Sequence, residues 1–145
     1  MQVNPKITFF IPDLENPIPT SFISGGIKAG FPWPAADFEE LKLSLDHLLV
    51  KNREATFYAK ASGNSMIGAG IDDGDILVID RSLEPRNNAI AVCLIDGEFT
   101  VKRIKKDNDE VYLMPENSQY QPIKIEEENE LIIWGIVTYA IKQMK

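Results

Sequence analysis

Ala89-Ile90-Ala91-Val92-Cys93-Leu94-Ile95-Asp96-Gly97-Glu98-Phe99-Thr100-Val101-Lys102-Arg103-Ile104 is the stretch on which the fold of this 145-residue chain turns. Its first half is an unbroken apolar run of strand length. Asp96-Gly97 is the strongest hairpin signal in the sequence, because both positions tolerate the positive φ that a tight two-residue turn needs. The second half predicts a returning strand over 98–104. Side chains alternate along a strand, so Phe99, Val101 and Arg103 share one face and Thr100, Lys102 and Ile104 the other. Lys102 is thereby flanked on its own face by one small and one apolar residue. Lys105 and Lys106 instead run into the polar turn Asp107-Asn108-Asp109.

Working outward, the same strand character recurs. Toward the C-terminus, Val111–Met114, Ile123–Ile125 and the long apolar run Leu131–Ile141 read as strands, with an acidic solvated turn at 126–130. Toward the N-terminus, Thr56–Ala61 alternates and delivers the chain to Ser62-Gly63-Asn64-Ser65. Met66–Ala69 predicts one helical turn, placing Ser65 near the positive end of its backbone dipole. Asp72-Asp73-Gly74-Asp75 lacks the twelve-position ligand pattern of a calcium loop and reads as a charged turn before the strand 76–80. Asp37 and Ser44 are N-cap candidates, and Phe38, Leu41, Leu45, Leu48 and Leu49 fall at helical spacing, predicting one or two short helices. Residues 1–34 hold six of the nine prolines and read as an irregular arm, in which Ile7–Ile11 could pair as an edge strand. The expectation is a mostly β domain over 35–145 behind an arm at 1–34.

The chemistry centres on Ala61-Ser62-Gly63-Asn64-Ser65-Met66. A serine among small, turn-forming residues can project its hydroxyl from a bend with backbone N–H groups close by. That hydroxyl needs a base. The one histidine, His47, sits in a leucine-rich helical segment, which leaves little material for a Ser-His-Asp triad. A buried lysine can take its place, and Lys102 sits on a strand face suited to that. Spacing alone favours the plainer alternative of a turn serine and a surface lysine. Cys93 is the single cysteine; it lies in an apolar strand and reads as a core residue, and it cannot form an internal disulfide. No metal or cofactor site is expected. A net charge of −7 opposes sequence-independent binding to phosphate backbones. No apolar run approaches the ~18 residues of a membrane span, and no basic-then-apolar leader opens the chain, so a cytoplasmic protein is expected.

Four pieces taken together resemble the LexA/UmuD family of self-cleaving Ser-Lys proteins (peptidase S24), and within it the UmuD branch. They are Lys60–Met66 with Gly70–Asp75, Asp96–Lys102, Met114–Ser118 followed by Tyr120 and Pro122-Ile123, and Ala29-Gly30-Phe31-Pro32. The resemblance runs from about Gly25 onward and implies the β fold of the family's C-terminal domain. It implies Ser65 as nucleophile, Lys102 as general base and Ala29–Gly30 as the scissile bond; for such chemistry the backbone N–H groups of Ser65 and Met66, at the bend itself, are the oxyanion candidates. Alanine before the cut is familiar in the repressor branch, where the polymerase branch often has cysteine. The resemblance further implies a homodimer, stimulation by a RecA–single-stranded-DNA filament, and a shortened form that joins a UmuC-type Y-family translesion polymerase. The alternative is a self-cleaving transcription regulator that binds DNA. Only 29 residues precede the cut and four are prolines, too few and too broken for a helix-turn-helix module, so no direct sequence-specific DNA binding is expected.

Overall fold

The computed structural model describes residues 8–23 and 40–144. These fall into two compact units, one of residues 8–12 with 52–144 and one of residues 13–23 with 40–51. Ala29, Gly30 and the N-cap candidate Asp37 lie outside the described residues.

The larger unit is built on one antiparallel sheet. In chain order its strands are β1 (Phe9–Phe10), β4 (Thr56–Lys60), β5 (Ile76–Asp80), β6 (Ile90–Ile95), β7 (Glu98–Asp107), β8 (Glu110–Met114), β9 (Ile123–Lys124) and β10 (Leu131–Ile141), the labels β2 and β3 belonging to the smaller unit. They lie side by side in the order β1-β4-β5-β10-β6-β7-β8-β9. The edge strand expected within Ile7–Ile11 is β1, with Phe9 opposite Ala59 and Phe10 opposite Tyr58. β6 and β7 form the hairpin read from the sequence, Ile95 opposite Glu98. Asp96 (φ 49°) and Gly97 (φ 82°) both occupy the left-handed region between them, the conformation that a type I′ turn demands. β7 runs three residues further than expected, because Lys105, Lys106 and Asp107 pair with Tyr112, Val111 and Glu110.

Strand alternation divides the apolar residues between two clusters. One gathers Ala59, Ala61, Met66, Ile71, Leu77, Ile79 and Val92, with Phe9, Phe99 and Trp134 packed against it. The other gathers Ala91, Cys93, Ile104, Leu113 and Ile136. Ala91 and Cys93 thus enter one cluster and Val92 the other, which is why β6 is apolar throughout rather than alternating.

In the smaller unit, β2 (Thr20–Ile23) pairs with β3 (Glu40–Leu43), and α1 (Leu45–Leu49) follows. Of the one or two short helices expected, the one after Ser44 is present as α1, five residues long with none buried. The expected helical stretch before it is corrected at Glu40–Leu43, which is strand. Leu41 and Leu43 fit a two-residue period as well as a helical one, and four residue pairs with Thr20–Ile23 decide between them. Ser44 occupies the N-cap position, but its hydroxyl makes no capping bond.

Candidate active site

The bend that carries Ser65 is tied down from both sides. Ala61 N–H donates to Asp75 C=O (2.7 Å) and Gly74 N–H to Ala61 C=O (2.8 Å). Gly63 N–H donates to Asp73 Oδ1 (2.8 Å). The acidic turn 72–75 is therefore a scaffold for the serine bend. Asp75 is itself buried and bonded to Lys142 Nζ and to Asp72 N–H. These partners hold its carboxyl below the ordinary carboxylate range, Lys142 contributing most. Among the described residues no group of histidine, cysteine or acidic side chains could hold a metal ion.

On the other side, residues 116–117 form a strap. Glu116 N–H donates to Ser65 C=O (2.7 Å), and Gly68 N–H donates to Glu116 C=O (2.7 Å). Asn117 Nδ2 donates to Asn64 C=O (2.9 Å). A Cβ on Gly68 would stand 2.6 Å from the Glu116 carbonyl oxygen, so the strap lies this close only because residue 68 is glycine. Residues 67–69 form the expected helical turn, of 3-10 type.

Lys102 reaches this bend from β7. Its amine lies 3.0 Å from Ser65 Oγ, 2.8 Å from Thr100 Oγ1 and 3.1 Å from Val101 C=O. The residue is only 8% exposed. Burial pushes the amine below the ordinary lysine range, because desolvation penalises the ammonium form. An ammonium has three N–H donors, one for each of these neighbours. A neutral amine keeps two, for Thr100 and Val101, and turns its lone pair to the Ser65 hydroxyl. The same heavy-atom positions serve both protonation states, so a proton can pass between Oγ and Nζ without rearrangement. Thr100 is the participant that the residue pattern placed on the right face without revealing its bond.

Cys93 is fully buried in the second cluster. Burial raises its thiol to about 11, partly offset by Lys102. A thiol held that high is uncharged at neutral pH and leaves the electrostatics of Lys102 to desolvation.

Ser65 and Lys102 open onto a groove of about 680 Å³ lined by Phe9, Ala59, Met66, Phe99, Thr100 and Tyr120, among others. Phe9 stacks on Trp134 (centroids 4.3 Å apart) and meets Phe99 edge-on at 5.1 Å, so β1 contributes one apolar wall. Neither the Ser65 nor the Met66 N–H donates to an acceptor among the described residues. The two members of the sequence-read pair thus lie within hydrogen-bond distance, whereas His47 sits on α1 in the smaller unit.

A model of the peptidase S24-like family matches residues 21–138. The chain is 41% identical to protein MucA of Salmonella typhimurium over 116 residues, 79% of each chain. It is 38% identical to protein SamA of Salmonella typhimurium over 117 residues, 81% of each chain. With protein ImpA of Escherichia coli the identity is 36% over 119 residues, 81% of this chain and 80% of the other. The chain belongs to the peptidase S24-like family, as a UmuD-type member.

Proposed function

We propose that this protein cuts its own backbone between Ala29 and Gly30, with Ser65 as nucleophile and Lys102 as general base. The observation that carries the reading is the 3.0 Å contact between Ser65 Oγ and a lysine amine held in a buried, desolvated position. Neutral Lys102 takes the hydroxyl proton as Oγ attacks the Ala29 carbonyl carbon. The Ser65 and Met66 N–H groups face the developing oxyanion, each such donor being worth about 3–4 kcal/mol in the transition state. Collapse breaks the C–N bond, and the Lys102 ammonium returns its proton to the departing Gly30 amine. Water, activated by the same amine, then hydrolyses the Ala29 ester on Ser65. The product, residues 30–145, keeps both Ser65 and Lys102 and loses the arm. Because the substrate is tethered, each chain reacts once.

The wider reading is a switch of the SOS response to DNA damage. A RecA–single-stranded-DNA filament stimulates the cut, and the shortened form, as a homodimer, serves a UmuC-type Y-family polymerase in synthesis past lesions. Family membership supports this, and the net charge of −7 fits a subunit that leaves the holding of DNA to its partners. Incubation with RecA filaments on single-stranded DNA, with products read by mass, tests it. Wild type should yield residues 1–29 and 30–145, while Ser65→Ala and Lys102→Ala stay whole. A wild-type chain that remains intact beside active filaments would contradict the regulation proposed.

A further inference from the structure

We propose that Arg103 and Glu116 form a positioning strut that fixes the Ser65–Met66 peptide plane, and with it the direction of the Met66 N–H offered to the oxyanion. The proposal rests on the self-cleavage reading for its effect on rate, and on contacts independent of that reading for its structure.

Arg103 follows Lys102 in β7, and successive side chains leave a strand on opposite faces. While Lys102 reaches Ser65, Arg103 Nε donates to Glu116 Oε1 (2.5 Å) and Nη1 donates to Asn88 C=O (2.6 Å). Glu116 lies two residues past Met114, the register partner of Arg103. Its side chain is held by the lysine-bearing strand, and its backbone N–H and C=O are both bonded to the serine bend, at Ser65 and Gly68. One residue thus ties the two halves of the dyad together.

The peptide unit gives this tie its meaning. In a trans peptide the C=O and the following N–H point in opposite directions. Glu116 N–H draws the Ser65 C=O toward the strap, so the Met66 N–H is turned away from it. Releasing Glu116 frees that plane to rotate, and a rotated plane would present a carbonyl where the oxyanion needs a donor. Both side chains are about one-third exposed, so the ion pair adds little to global stability. Its consequence is geometric.

The test uses the full-length chain carrying Arg103→Leu, Glu116→Leu, both together, or Arg103→Lys. Two readouts are taken: the rate of self-cleavage from pH 7 to 10, and hydrogen exchange at the Glu116 and Gly68 amides. Each leucine variant should lower the high-pH rate about tenfold or more while leaving the pH midpoint in place. The double variant should fall no further than the singles, since the pair acts as one unit. Arg103→Lys should recover part of the rate. Exchange should quicken at residues 68 and 116 without spreading through β7 and β8. Wild-type rates or unchanged exchange in the leucine variants would overturn the strut. So would a shifted midpoint at unchanged high-pH rate, which would mean that the pair acts on the charge of Lys102. Exchange that quickens throughout β7 and β8 would reduce it to a general structural contact. If wild type itself never cleaves, the self-cleavage reading fails, and the exchange data alone decide the strut.

Discussion

Lys102 places an amine where burial disfavours its charge, and that has a thermodynamic signature separate from any cleavage. The unfolded chain binds the proton with the ordinary lysine pKa of about 10.4, and the folded chain binds it more weakly. Between the two values the unfolded state holds more protons, so stability rises with pH across that window. Below the folded value both states are charged, and the full cost of burying the ammonium is present. Lys102→Met is therefore expected to be more stable than wild type at pH 7, with the difference shrinking as pH approaches about 10.5. Urea midpoints at pH 7, 9 and 10 measure it, and a difference independent of pH would contradict the burial argument. Much of this residue's setting was legible from period-two alternation, which put Thr100 and Ile104 on its face. The bond to Thr100 was not, because it depends on the rotamers of two side chains. Nor does the pattern reveal that Ser65 lies opposite, since the two stand 37 positions apart in the chain.

At the level of elements, the β6–β7 hairpin is the piece the sequence states most fully. Asp96-Gly97 specifies both the turn and the register, and the register places Lys102 opposite Ala91. With Gly97 at φ 82°, Gly97→Ala is expected to cost about 1–2 kcal/mol. Gly97→Asn should cost less, since asparagine tolerates this region. Equilibrium denaturation checks both, and equal, negligible effects would mean that the turn does not set the register. The strap at 116–117 was visible only as a matched piece of sequence without a role. Its two bonds at Glu116 to the serine bend are made by backbone groups that any residue carries, and its side-chain partners Asn64 and Arg103 lie far away in sequence. Glu40–Leu43 misleads for a related reason. Its leucines satisfy two periods at once, and the pairing partner that settles the matter, Thr20–Ile23, lies in a segment whose prolines suggest irregular chain. The bulges in β10 near residues 134 and 138 are likewise set by neighbouring strands rather than by their own sequence.

Over the whole molecule, the arm is more than a carrier of the proposed scissile bond. Its Phe9 joins the sheet through β1 and walls the groove onto which Ser65 and Lys102 open, so the cut proposed at Ala29–Gly30 severs the covalent tie of an element that helps shape the site. No helix among the described residues is long and apolar enough to cross a membrane. The strand pattern that predicts a mostly β domain agrees with the eight-stranded sheet and its two buried clusters. The most direct measurement is the intact mass of the purified full-length protein after incubation between pH 7 and 10, beside Ser65→Ala and Lys102→Ala. If Lys102 is the base, wild type loses residues 1–29 faster as pH rises and the amine gives up its proton, and both variants keep their full mass throughout. A wild-type chain that stays whole at every pH, or variants that cleave as fast as wild type, would contradict the Ser65–Lys102 mechanism.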